Sequence, residues 1–255
     1  MIERFPKKPS IVRVFALLFS MLVIQGFGED ESEKQPTVNY GIETDVIYQY
    51  IWRGIGYNHG LLVQPYAWIS TSDFTASTWC NYTLFDADDA VKQHEIDLIL
   101  QYDRTFGDFT IEPSINIYSY PNETHAPATG ELALNIGYSV NNWEFSTTHY
   151  VDFMEYRGAY FGEAGLEYSR TTNSENVLHL GINLGWASKK FNKVYSGLSQ
   201  ATLSNLVFNC SYELGLTESV YLRPYFDVYH NINLSLQKIN QTNLFNIGII
   251  IGFGV

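Results

Sequence analysis

From Val38 the chain alternates without a break. Val38, Tyr40, Ile42, Thr44, Val46, Tyr48, Tyr50 and Trp52 share one face, and Asn39, Glu43, Asp45, Gln49 and Arg53 share the other. Successive side chains of a strand point to opposite sides, so a period of two held this long predicts a β-strand with one apolar and one polar face. Its length exceeds the five or six residues common in soluble sheets and suits a tilted strand that crosses a bilayer and projects beyond it.

The alternation recurs. Ile96, Leu98, Leu100 and Tyr102 oppose Glu95, Asp97, Gln101 and Asp103, and Phe109, Ile111, Ile115 and Ile117 oppose Thr110, Glu112, Ser114 and Asn116. Leu132, Leu134, Ile136 and Tyr138 oppose Glu131, Asn135 and Ser139; Tyr160, Ala164, Leu166 and Tyr168 oppose Glu163 and Glu167. The pattern predicts strands at 38–54, 61–71, 74–84, 94–106, 109–119, 131–140, 143–153, 158–169, 177–187, 201–214, 220–230 and 243–255. Helical periodicity is absent. The fold expected is all-β, a single closed antiparallel transmembrane β-barrel of about twelve strands.

Connections alternate between short turns, such as Ser72-Asp73, Gly107-Asp108 and Asn141-Asn142, and long stretches, such as Gly54–Gly60, Ser188–Gln200 and Asn231–Thr242. Bacterial outer-membrane barrels pair short periplasmic turns with long external loops in this way. Pro65, Pro113 and Pro224 fall inside proposed strands and predict bulges or strand ends. A eukaryotic secreted β-sandwich is the competing fold, favoured by sequons at Asn81, Asn122, Asn209, Asn233 and Asn240. Its strands would be shorter, and two of the sequons lie mid-strand.

Residues 1–28 stand apart. Arg4, Lys7, Lys8 and Arg13 precede an apolar run from Val14 to Ile24, closed by Gln25-Gly26-Phe27-Gly28. The run is short of the roughly 20 residues a spanning helix needs, so it reads as a secretory signal peptide rather than an uncleaved anchor. Residues 29–37 are expected to be a disordered acidic linker, and 38–255 the barrel. Removal of 1–28 takes away four basic residues and Glu3, leaving 11 Lys+Arg against 26 Asp+Glu, a net charge of −15. Such acidity excludes nucleic acid as a partner and draws cations into any cavity. Cys80 and Cys210 are too few for a disulfide framework, no spacing suggests a metal site, and no cofactor is expected.

Short motifs add a resemblance. Tyr50-Ile51-Trp52-Arg53-Gly54-Ile55 followed by Gln64-Pro65, then Glu95-Ile96-Asp97-Leu98, Ile117-Tyr118-Ser119-Tyr120-Pro121 and Tyr156-Arg157-Gly158-Ala159-Tyr160, resemble in order and spacing the TorF-type family of bacterial outer-membrane porins. The likeness covers about residues 38–168. Gly56 departs from the serine usual there, and Tyr57-Asn58-His59-Gly60 replaces acidic residues. The resemblance implies a porin-like barrel and names no substrate.

With the apolar face toward lipid, the lumen would be lined by Glu43, Asp45, Arg53, Glu95, Asp97, Asp103, Glu112, Glu131, Glu163, Glu167, Arg223 and Asp227. So many carboxylates are costly in a dry core, and they argue for a wet interior or bound cations. Arg53 would pair with lumen acids and narrow the pore, while Trp52 and Trp186 would join interfacial aromatic girdles. Catalysis has few candidate parts: His149 with Asp152, and His230 with Asp227, fall on opposite faces of their strands, so no enzyme is expected. The expected role is passive passage of small solutes, cations preferred. Outer-membrane lipid and, during biogenesis, the barrel-assembly machinery of a Gram-negative cell are the expected partners. The alternatives are a non-conducting structural or loop-binding barrel and, below it, a barrel hydrolase.

Overall fold

The computed structural model describes residues 38–86, 94–121, 126–172 and 176–254. The signal peptide, the acidic linker, the Asn122 sequon, most of the 86–93 connection and Val255 lie outside these residues.

Among the described residues the wall is built from β1 (Val38–Trp52), β2 (Ile55–Thr71), β3 (Phe74–Asp86), β4 (Glu95–Tyr102), β5 (Arg104–Phe106), β6 (Phe109–Ser119), β7 (Thr129–Val140), β8 (Trp143–Asp152), β9 (Tyr160–Thr171), β10 (Val177–Ala187), β11 (Thr202–Gly215), β12 (Val220–Asn231) and β13 (Asn243–Gly254). Every pairing is antiparallel, and apart from β4 and β5, which do not pair with each other, each strand pairs with its neighbours in sequence. β1 pairs with β13, so that Ile42 faces Phe253, and β4 pairs with β6. The ring is thereby closed. Because β4 and β5 both pair with β6 and are separated only at Asp103, they form one stave, and the barrel has twelve. Closure leaves no unpaired edge.

The prolines do not end strands. Each lies mid-strand, with a partner on one side and a gap in the ladder on the other. Pro65 pairs with Thr44, and the β2–β3 ladder skips from Val63–Tyr82 to Tyr66–Trp79. Pro113 pairs with Leu134 while β4 breaks into β5 across from it, and Pro224 pairs with Ile249 beside a gap in the β11–β12 ladder. A proline lacks a single N–H, which pointed to one side only, so the flanking ladder bonds keep the register and no bulge is needed.

Two connections expected as structureless loops contain helices: α1 (Lys189–Ser196) between β10 and β11, and α2 (Leu234–Asn240) between β12 and β13. The Ser188 side chain caps α1 by accepting from the Phe191 N–H, and Gly197 ends it at φ 69°. These are ordinary start and stop signals, but the helices are too short to show a repeat in sequence. A third difference lies at the first connection. In place of a long Gly54–Gly60 loop, Arg53 and Gly54 make a two-residue hairpin turn, both at positive φ (52° and 81°), a backbone shape that matches the twist of the flanking strands.

The usual distribution of apolar residues is reversed over most of the wall. Ile42, Leu98, Phe245 and Ile247 are more than half exposed on the outer face, while the buried apolar cluster of Ala159, Phe161, Ala187 and Phe191 lies inside, at the end bearing α1. An outer surface of this kind needs an apolar surrounding. At the opposite end, cross-strand aromatic pairs ring the wall: Phe74–Tyr102, Phe109–Tyr138 and Trp143–Tyr168, with centroids 5.0, 4.7 and 4.8 Å apart.

Candidate pore and its constriction

The end of the barrel carrying α1 and α2 is obstructed from within. Register shifts between Ile47 and Gln49 and between Tyr50 and Ile51 distort the β1–β2 hairpin near its tip. Such irregularities break strict alternation and bend the strand. Tyr50 stacks on Tyr57 and meets Trp79, and Trp52 packs on Phe191 and Tyr195 against the interior cluster. Trp52 is therefore not an outward girdle residue; the distorted ladder turns it inward. Trp186 lies on the outer face and donates to the Tyr160 hydroxyl at 2.9 Å, which also bonds His149.

Arg53, at the hairpin tip, reaches across the lumen to β7. Its two terminal nitrogens lie 2.8 and 2.6 Å from the two carboxylate oxygens of Glu131, a bidentate pair with side chains 7% and 1% exposed. The guanidinium is also 4.4 Å from the ring centroid of Trp52, 4.2 Å from Tyr150 and 4.7 Å from Phe161. A planar cation that is always charged suits such a site, because its edge satisfies the carboxylate while its faces rest on rings. Tyr118 donates a further bond to Glu131 at 2.9 Å. The turn is held in place by Asn231, which is 1% exposed and donates to the Gly54 carbonyl at 3.0 Å and to the Gln241 carbonyl at 2.8 Å. Burial pushes the Tyr195 phenol of α1 well above its ordinary range, with Glu131 adding to the effect, so it remains neutral where it packs on Trp52 and Phe191.

Beside this constriction Glu95 and Asp97 are 5% and 8% exposed, next to Tyr50 and Trp79. Farther round, Glu163 receives a weak bond from Tyr150 at 3.4 Å. Toward the short-turn end the acids are wetter. Arg223 lies 3.6 Å from Glu43 and 3.4 Å from Glu213, with all three side chains close to 27% exposed. Glu112 accepts from Asn135 at 2.7 Å, Glu167 lies 3.0 Å from His179, and Asp103 accepts from Thr75 and Gln101. Asp227 lines a recess with Tyr48, Gln49 and Asn246.

On this wall three inward glycines let rings lie flat. Trp68 covers Gly41, Tyr225 covers Gly248 and Tyr221 covers Gly252. The Tyr221 and Tyr225 hydroxyls then reach over β13 to donate to Glu43 and Asp45 of β1. Each ring is thus drawn aside from the bore.

Of the acids expected in the lumen, the structure brings together Arg53 with Glu131, Glu95 with Asp97, and Arg223 with Glu43. Sequence reasoning missed Tyr118, Tyr150, Phe161, Phe191 and Asn231, since aromatic and amide residues on a polar face carry no distinctive spacing. The candidate catalytic pairs are not assembled. His149 bonds Tyr160 and Thr147, whereas Asp152 accepts from Thr129, from the Met154 N–H and from the Tyr156 N–H. His230 bonds Asn243 instead of Asp227. Cys80 and Cys210 are unbridged.

Among solved structures the KdgM porin matches over 82% of this chain and 97% of its own, at 14% identity and a TM-score of 0.53. The fold is a porin-type barrel. The NanC porin matches over 83% of this chain and 98% of its own, at 10% identity and a TM-score of 0.54. A further KdgM structure, in complex with disordered oligogalacturonate, matches at 12% identity over 82% and 97% of the two chains, with a TM-score of 0.52. No protein-family model matches the chain, and no curated protein matches it by sequence.

Proposed function

We propose that this chain is an outer-membrane channel for passive diffusion of small solutes, with an acidic lumen that favours cations. The observation carrying this reading is the pairing of an apolar, exposed outer wall with an interior in which Glu43, Asp45, Glu95, Asp97, Glu112 and Glu163 outnumber Arg53 and Arg223. Carboxylates facing a water-filled passage lower the barrier for cations and raise it for anions. The solute therefore differs from the oligogalacturonate of the KdgM complex, a polyanion. Export by the N-terminal signal peptide of a Gram-negative cell, folding by the barrel-assembly machinery, a disordered 29–37 linker and membership of the TorF-type porins belong to the same reading. No catalytic role or cofactor is part of it.

The test is single-channel conductance of the refolded mature chain in a planar bilayer, with the reversal potential read under a salt gradient. Discrete cation-selective steps support the reading, and a folded barrel that passes no current overturns it. The buried Arg53–Glu131 pair favours one second reading, a barrel closed at rest whose loops serve a structural or binding role. Arg53→Ala separates the two: the current of a conducting channel rises when the group crossing its lumen is removed, and a structural barrel stays silent.

A further inference from the structure

Basic residues are scarce in the mature chain, and their placement is uneven. Of its 11 Lys and Arg, five (Arg157, Lys189, Lys190, Lys193 and Lys238) lie in three connections at the constricted end, 153–159, 188–201 and 232–242, where Glu155 is the single acid. All five are exposed. In so acidic a chain this is a local reversal of sign, which favours anions at that end.

Two helices gather these cations. In α1 Phe191 and Asn192 are buried, and Lys189 and Lys193, four residues apart, share an exposed face. Lys190 donates to the Arg157 carbonyl, which ties the 153–159 connection to the same helix. α2 is joined to α1 where Asn240 donates to the Ser196 hydroxyl at 3.2 Å. On α2 the buried residue is Leu236, while Leu234 and Lys238, again four residues apart, share an exposed face.

Beside these cations the wall opens outward. The β11–β12 ladder ends at Asn205–Asn231, with a last bond from the Ile232 N–H to the Ser204 carbonyl at 2.9 Å. Past that bond lies a groove of about 480 Å³, bounded by Thr202 and Leu203 on one side and Ile232 and Leu234 on the other. Leu203 pairs with Trp186 of the outer face, so the groove continues the lipid-facing wall. Leu203, Leu234 and Ile239 are at least half exposed. Exposed leucines next to exposed lysines suit the layer where acyl chains give way to headgroups: the apolar side chains enter hydrocarbon and the ammonium groups reach phosphates. A soluble anion would use the lysines and leave the groove empty, and a neutral lipid would do the reverse. An anionic lipid uses both.

We infer that the α1–α2 shoulder is a docking surface for a phosphate-bearing lipid of the outer leaflet, with an acyl chain along the Leu203–Leu234 groove and phosphates against Lys189, Lys193 and Lys238. Long connections of such barrels face the cell exterior, so the leaflet they meet is the outer one. The inference goes beyond the channel reading: it uses the place of the barrel in an outer membrane and not its conduction.

Lipid A, an acylated and phosphorylated disaccharide, is the probe, and its dephosphorylated form is the control. The refolded mature barrel in dodecylmaltoside micelles is titrated with each, and bound lipid is counted by native mass spectrometry. Saturable binding of lipid A is expected, at least about tenfold weaker after dephosphorylation and in the triple variant Lys189→Gln, Lys193→Gln, Lys238→Gln, and unchanged in Arg170→Gln at the opposite end. Leu234→Ser should weaken it by roughly several-fold, because the groove loses an apolar wall. Lipid A should also raise the temperature of heat-modified migration of the wild type. Equal binding of the two lipid forms, or affinity unchanged in the triple variant, overturns the site. Displacement of lipid A by an equal concentration of inorganic pyrophosphate assigns the lysines to a soluble anion and overturns it too. The comparison of the two lipids uses the wild-type protein, so the outcome does not depend on any variant folding.

Discussion

Two arginine–carboxylate clusters, one toward each end of the lumen, use the same chemistry in opposite surroundings. Arg53 and Glu131 are dry, bidentate and stacked among rings, with side chains 7% and 1% exposed. Arg223 is shared between Glu43 and Glu213 at 3.6 and 3.4 Å, and all three remain about a quarter exposed. Water decides what each is worth. In the dry pair, loss of one partner strands the other in a medium that cannot solvate it, while in the wet cluster solvent replaces the lost partner. One end is therefore built to hold shape, the other to set a field.

The largest effect is expected from breaking the dry pair on one side only. Glu131→Ala should destabilise the barrel by about 3–5 kcal/mol, read from its urea unfolding midpoint in detergent, because a buried guanidinium is left alone. Equal sensitivity of Arg223→Ala would end the contrast, since that variant should cost no more than about 1 kcal/mol. In conductance the ranking is different. Arg53→Ala should at least double the single-channel current, because the group that crosses the lumen is gone, and Arg223→Ala should leave current nearly unchanged while shifting the reversal potential further toward cations.

Smaller effects sharpen the picture of the wet end. In Gly248→Ala the new Cβ would lie 2.6 Å from the Tyr225 ring, so the ring must swing into the bore and release Asp45. A modest fall in conductance is expected, absent in the double variant with Tyr225→Ala. Tyr225→Phe alone removes one phenol–carboxylate bond and should cost about 1–3 kcal/mol or less, the lower end applying because water reaches this wall.

How much of this was legible in the sequence differs by element. The β1 alternation, the turn at Asn141-Asn142 and the even count of staves follow from a period of two and from turn chemistry, both local properties. The Arg53–Glu131 pair was half legible: Arg53 stood on the polar face among acids, but nothing in the sequence singled out Glu131 from Glu95 or Glu163, which lie on other strands. Trp52 was misplaced because the register shifts near the β1 tip involve β2, and a strand read alone shows only its own period. Prolines read as breaks were tolerated because their neighbours' ladders hold the register.

What the sequence determined by itself is therefore the wall: which residues are strand, which face is apolar, and that the enclosed face is acidic. Those depend on spacing along one chain. Only the tertiary structure decided the Arg53–Glu131 constriction, the flat rings over Gly248 and Gly252, and the burial of Asp97. Each of these needs groups tens of residues apart in sequence to meet across a closed ring, and strand pairing and closure alone fix which ones meet.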